Sequence, residues 1–115
     1  MRPGQLEPNE FELAILERMA NKAPLIRAFV QKLRVLSREF TGVGSYTTFL
    51  SDEPSSEHDE AHISLDALIS MPRVPNGMGA VLFVEGGKPK LLETFTYGDD
   101  HWDGVYEGFS IDEAA

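Results

Sequence analysis

The chain has 115 residues, 42% of them hydrophobic and 25% charged, with a formal net charge of −9 and no cysteine. That is enough for one domain with one core, expected to span residues 1–115. The charge argues against direct binding to nucleic acid or an anionic membrane, no apolar run approaches bilayer length, and disulfide and thiolate chemistry are excluded.

Residues Met1 to Pro8 read as an extended lead-in without an apolar signal-peptide core, which sets the expectation of a cytoplasmic protein. Asn9 is a good helix N-cap, and Glu12 three positions on completes a capping box. Phe11, Ala14, Ile15 and Met19, widened by Leu13 and Leu16, predict a helix from Glu10 to Ala20. Pro24 suits the first position of a second helix, with Ile26, Phe29, Val30, Leu33 and Leu36 as its buried stripe. Arg27, Lys32, Arg34 and Arg38 then decorate its exposed side, and Thr41-Gly42 ends it after Phe40. The short break between the two helices predicts an antiparallel pair.

From Val43 to Leu50 the period changes to two, with Val43, Ser45, Thr47 and Phe49 on one face. Ser51 to Glu60 is a polar, turn-rich loop. Ala61 to Ala67 alternates again, with a helical turn through Leu68 as competitor, and Pro72 and Pro75 punctuate a loop ending at Asn76-Gly77.

The strongest local signal follows. Gly79 to Glu85 and Lys88 to Tyr97 are strand-like runs around Gly86-Gly87, and a type I′ turn needs positive φ at both central residues. A two-residue turn pairs Glu85 with Lys88, Val84 with Pro89, Leu82 with Leu91 and Ala80 with Glu93. The core face is then Ala80, Leu82, Val84, Pro89, Leu91, Phe95 and Tyr97. Proline's missing N–H makes the second strand an edge near its start, or delays its neighbour until after Pro89. Glu93 is discordant on that face, and is explained by a bulge, by an exposed margin, or by a functional buried carboxylate. A last strand is expected within Val105 to Ile111, with a frayed tail from Asp112. Helices followed by consecutive strands predict an α+β fold: two N-terminal helices on one face of a four- to five-stranded antiparallel sheet.

Six of the ten Lys and Arg lie between Arg18 and Arg38, whereas five acids crowd Asp52 to Glu60 and seven more lie from Glu93 to Glu113. One surface is therefore mixed to basic and another acidic, which suits either solubility or docking of a basic partner. His58, Glu60 and His62 invite a metal reading. On a strand the two histidines would stand about 13 Å apart, and a structural zinc site wants four ligands. The loop Asp99-Asp100-His101-Trp102-Asp103 lacks the alternating acids of a calcium loop. No Gly-x-Ser-x-Gly elbow marks a nucleophile, so neither a cofactor nor a catalytic residue is assigned. Trp102, the only tryptophan, either folds back over the sheet or anchors an interface, with Tyr97 and Tyr106 completing an aromatic patch.

The segment from Gly79 to Lys88, continued by Leu92 to Trp102, resembles the ending of small, mostly uncharacterised bacterial proteins, some of which resemble the immunity proteins of polymorphic toxin systems. The likeness covers about a quarter of the chain, is made of hairpin residues, and carries no catalytic motif. It implies a bacterial cytosolic protein that binds and neutralises a toxin, and acidic immunity proteins often face basic nucleases. The leading expectation is a non-enzymatic module for a basic protein partner, with Tyr97, Asp99, Asp100, His101, Trp102, Asp103 and Tyr106 at the contact. A metal-dependent enzyme built on His58, Glu60 and His62, and a structural homodimer, are the alternatives.

Overall fold

The computed structural model describes residues 7–50, 61–98 and 100–113. Most of the N-terminal lead-in, the loop from 51 to 60 with His58 and Glu60, and the residues Asp99, Ala114 and Ala115 lie outside the described residues.

Helix α1 spans Glu10–Lys22, two residues longer than expected. The capping box is present: Glu12 N–H donates to Asn9 Oδ1 at 2.8 Å, and Asn9 N–H to Glu12 Oε1 at 2.9 Å. Phe11, Ile15, Leu16, Met19 and Ala20 are buried, which is the predicted stripe shifted slightly around the helix.

The second helix is a correction. A 3-10 turn, Pro24–Ile26, leads into a single-turn helix α2, Arg27–Val30, and the chain then becomes strand β1, Arg34–Phe40. Leu33 and Val35 are buried, but Leu36 is 53% exposed, so a helical stripe through Leu36 does not exist. The β1–β2 pairing supplies the reason. Thr41-Gly42, read as a helix stop, is a hairpin turn with Gly42 at φ 90°, and it folds β1 antiparallel onto β2, Gly44–Leu50. There is accordingly no antiparallel pair of long helices among the described residues.

Strands β3 (Ala61–Ser64), β4 (Ala67–Met71), β5 (Val74–Glu85), β6 (Lys88–Thr96) and β7 (Ser110–Glu113) complete the sheet. Among the described residues it has seven antiparallel strands in the order β1-β2-β6-β5-β4-β7, with β3 beside β4 along the same edge of β5. The fold is α+β, but with seven strands in place of four or five. Leu68 lies in β4 rather than a helical turn, and Pro72 and Arg73 form a tight turn into β5, so that Pro75 falls inside a strand. The last strand begins at Ser110 and not at Val105, and it carries Asp112 into the sheet against Leu68.

Gly86 and Gly87 adopt φ 61° and 80°, as the turn requires. Glu85↔Lys88 and Val84↔Pro89 pair as expected, but Lys90 is then bulged out and the register becomes Phe83↔Leu91, Leu82↔Leu92 and Val81↔Glu93. Every residue of β6 after the bulge changes face. Leu92 and Thr94 are buried, while Leu91, Phe95 and Tyr97 leave the core face. Burying Leu92 gains about 1.5–3 kcal/mol, and Glu93 escapes the several-kilocalorie cost of an unpaired buried carboxylate. β2 reaches β6 only from Leu91 onward, so the missing N–H of Pro89 leaves no bond unmade there.

The helix layer packs on the face carrying Val35, Thr47, Phe49, Ile69, Met78, Leu82 and Leu92. At its centre Glu12 is 1% exposed. Arg38 Nη2 donates to Glu12 Oε1 at 2.7 Å and Nε to Oε2 at 2.8 Å, and Thr47 Oγ1 donates to Oε2 at 2.9 Å. Arg38, expected on a helix surface, is thus a core-side strand residue, and the Glu12 hydrogen bond holds its guanidinium above its ordinary pKa. At the far end of α1, Arg18 and Lys22 reach Asp66 in the β3–β4 turn at 3.0 and 3.3 Å.

Removing one partner of a buried pair strands the other charge. Glu12→Ala should therefore lower the unfolding free energy by about 3–5 kcal/mol in urea titrations, and the Glu12→Ala, Arg38→Ala double variant should cost clearly less than the sum of the singles. The Arg18 hydrogen bond holds the Asp66 carboxyl below its ordinary value. A depressed folded pKa contributes stability above the unfolded pKa, about 3.9 for aspartate, and loses it as pH falls through the folded value. The stability advantage of wild type over Asp66→Asn should shrink as urea midpoints are followed downward from pH 5.

Candidate functional site

The sequence offers two readings of Trp102, folded back over the sheet or at a contact in the loop after β6, and the structure takes the first and removes it from the expected contact set: Trp102 is 3% exposed. Its backbone N–H donates to Gly42 O at 2.9 Å in the β1–β2 turn, and its indole N–H to Val105 O at 3.3 Å. Its ring packs against Phe11, Phe40 and Tyr106 with centroids 5.9, 5.6 and 5.6 Å apart. An indole at the N-terminal end of α1 covers the margin of the core, because the chain must close that end of the sheet between β6 and β7. Tyr106 joins the same cluster, also touching Phe11 and Phe40. Its hydroxyl is buried beside the Asn9 side chain at the cap of α1. Burial first, and then the Glu12 charge, push its pKa up.

Asp100 and Asp103 of the loop are also engaged within the fold. Asp100 Oδ2 accepts from Asn76 N–H at 2.9 Å and from Asn76 Nδ2 at 3.1 Å, while Thr96 Oγ1 donates to Asp100 O at 2.6 Å. Asp103 Oδ1 accepts from Val105 N–H at 3.0 Å, and its Oδ2 pairs with Arg73 Nη2 at 2.8 Å. His101 is exposed beside Gly42. Tyr97, 45% exposed, is separate from the Trp102 cluster and packs edge-on against Phe95 with centroids 5.6 Å apart.

That contact places Tyr97 on the other face of the sheet. The register lays out the residues there in rows. Glu39, Tyr46, Glu93, Val81 and Ser64 run across five strands. Thr48, Leu91, Phe83 and His62 form a second row, and Gly44, Phe95 and Gly79 a third. Among the described residues no helix packs on this face. Gly79 matters here: a Cβ would stand 2.5 Å from the Tyr97 hydroxyl and 2.8 Å from the Phe95 ring, so only glycine lets both rings lie across β5.

The face is electrically uneven. Toward the β1–β2 turn it carries Tyr46, Phe95 and Tyr97 with Glu39 and Glu93, and Asp100 and Asp103 lie in the adjoining loop. Tyr46 Oη donates to Glu93 Oε2 at 3.2 Å, and that bond, with the Glu93 charge, holds the phenol above its ordinary pKa. Toward the Gly86-Gly87 turn, Glu85 is accompanied by Lys88 and Lys90, and Arg34 sits opposite Leu50. Sequence reasoning placed Glu93, Phe95 and Tyr97 on one face of β6 but took that face for the core, and it did not bring Tyr46 beside Glu93. The alternation of β2 shows that Tyr46 faces away from Thr47, but the bulge hides which side of β6 it meets.

Among the described residues no group of three or more His, Asp or Glu side chains could hold a metal ion. His62 packs edge-on against Phe83 with centroids 4.8 Å apart. No helix among the described residues is long and apolar enough to cross a membrane. No family model, no curated protein and no solved structure matches the chain.

A buried tryptophan fixes the sign of a simple test. Trp102→Ala should cost about 3–5 kcal/mol of stability through the cavity it opens, seen as a lowered midpoint in chemical denaturation.

Proposed function

We propose that this protein is a non-enzymatic binding module that docks a basic protein through the acidic, aromatic end of its uncovered sheet face. The observation that carries this reading is the juxtaposition of exposed Tyr46 and Tyr97 with Glu39 and Glu93 on a face left without a covering layer among the described residues. Aromatic side chains with one wet, polar tip are the groups that anchor interfaces. Carboxylates around them steer a basic partner and disfavour an acidic one. The same charges oppose a second copy of this chain, because each copy carries a net charge of −9 and would bring its own Glu39 and Glu93 to the contact. The relevant contact set keeps Tyr97, Asp100, His101 and Asp103 from the loop and replaces buried Trp102 and half-buried Tyr106 with Tyr46 and Phe95.

Within that class, the hairpin's resemblance to immunity proteins of toxin systems supports inhibition of a basic toxin by occlusion. Such a role needs a rigid, preformed face and no cofactor, and a seven-stranded sheet backed by a packed helix layer supplies one.

The test is affinity capture from the native host, identification of the retained protein, and calorimetric titration with the purified partner. Tyr97→Ala should weaken binding by about 2 kcal/mol, roughly 30-fold, on the hot-spot scale. Glu39→Lys combined with Glu93→Lys should slow association and flatten its dependence on salt. A partner that is acidic, or that binds both variants as tightly as wild type, would overturn this assignment.

A further inference from the structure

The opposite end of the same face holds a cleft of about 250 Å³, lined by Ala61, His62, Phe83, Glu85, Lys90 and Leu91. It exists because of the bulge. Lys90 is the residue left without a cross-strand partner, and beyond it Leu91 moves onto the outer face beside Phe83. Ala61 of β3 stands opposite Val84, and the cleft lies where β3, β5 and the bulged start of β6 meet. Bulges of this kind re-aim side chains and often lie at functional sites.

We propose that this cleft binds a phenol, as carried by a tyrosyl side chain. Size is the first argument: the space suits one ring, below the range of about 300–1,000 Å³ for sites that take whole drug-sized ligands. The second is the lining. Phe83 and Leu91 offer apolar surface, and His62 already stands edge-on to Phe83, the geometry in which a further aromatic ring packs favourably. Charge is the third. Glu85 and Lys90 are opposite in sign, and neither is in an ion pair among the described residues. Within the lining these two charges offset one another, so a net cation or anion gains little from them. A neutral ring whose hydroxyl both donates and accepts can use the two together, donating to the Glu85 carboxylate and accepting from the Lys90 ammonium. Phenylalanine supplies the ring without the hydroxyl, and arginine brings a charge that Lys90 opposes. This site does not depend on docking at the acidic end, which uses other residues.

Titration of the full chain with N-acetyl-L-tyrosinamide, followed by amide and aromatic chemical shifts, tests the proposal. Binding with a dissociation constant on the order of 1 mM is expected for a ligand of this size. Shifts should centre on His62, Phe83 and Leu91. N-acetyl-L-phenylalaninamide should bind on the order of 10-fold more weakly, the net worth of two exposed hydrogen bonds toward the low end of their range. Lys90→Met and Glu85→Gln are surface changes whose folding is checked by thermal melts, and each should narrow that preference without weakening the phenylalanine amide. Equal affinity for the two amides, shifts elsewhere on the sheet, tighter binding of N-acetyl-L-argininamide, or no binding would each overturn it. Partner titrations with the Glu39 and Glu93 variants remain an independent readout, so failure at the cleft and failure of the docking reading are distinguishable.

Discussion

The Glu12 carboxylate holds the two layers of this protein in register. It accepts hydrogen bonds from the Asn9 backbone, from two nitrogens of Arg38 and from the Thr47 hydroxyl, while being 1% exposed. Each of those donors comes from a different element: the cap of α1, strand β1 and strand β2. One residue therefore starts the helix, fixes its height over the sheet and neutralises the cation that β1 turns inward. Such a pair contributes less to net stability than its geometry suggests, because both charges must be desolvated. Its stronger effect is on uniqueness. A helix shifted by one turn would leave Arg38 and Thr47 facing apolar side chains, with donors buried and unpaired.

Fixing the helix on one face determines the character of the other. Core residues on β5 and β6 alternate strictly once the bulge is counted: Met78, Ala80, Leu82 and Val84 on one strand, Leu92 and Thr94 on its partner. Their neighbours, Val81, Phe83, Leu91 and Phe95, must then point outward and are only half-buried. A solvated face of an antiparallel sheet is ordinarily polar, whereas this one carries aromatic and aliphatic side chains across several strands. Gly79 and Gly44 deepen the feature. They allow close approach over Gly79 and beside Thr94, where a Cβ would collide with the carbonyl, and the Phe95 ring and the Tyr97 hydroxyl both reach in over Gly79 while the two rings meet edge-on.

The features legible in the sequence are those set by local chemistry. Asn9 and Glu12 mark the start of α1, Gly86-Gly87 marks the hairpin, and Ser45, Thr47 and Phe49 share the buried face of β2. The second helix failed because Val30, Leu33 and Leu36 fit a helical spacing while Leu33 and Val35 fit an extended one; only the partner strand decides between them. The bulge at Lys90 is not readable either. Glu93 hints at it, since a strict register turns a carboxylate inward and a bulge is one way out. Its location needs the pairing itself. The site suffers from the same limit: Trp102 and Tyr106 are near Asp100 and Asp103 in sequence, but closure of the sheet end draws the rings inward and leaves the acids tied to Asn76 and Arg73.

The uneven charge of the outer face follows from how the core uses its cations. Arg38 lies on β1 between Ser37 and Glu39 and, on an outward register, would offset Glu39. Because Glu12 draws it to the inner side, the outer row keeps Glu39 and Glu93 with Tyr46 between them. Arg18 and Lys22 are engaged by Asp66, and Arg73 by Asp103. The remaining cations of the sheet, Arg34, Lys88 and Lys90, sit toward the other end of the strands. A buried pair that contributes modestly to stability thus separates an acidic, aromatic end from one where Glu85 stands among Arg34, Lys88 and Lys90. A basic surface approaching this face meets its attraction at the Tyr46 end, while the cleft beside Lys90 selects for neutral groups.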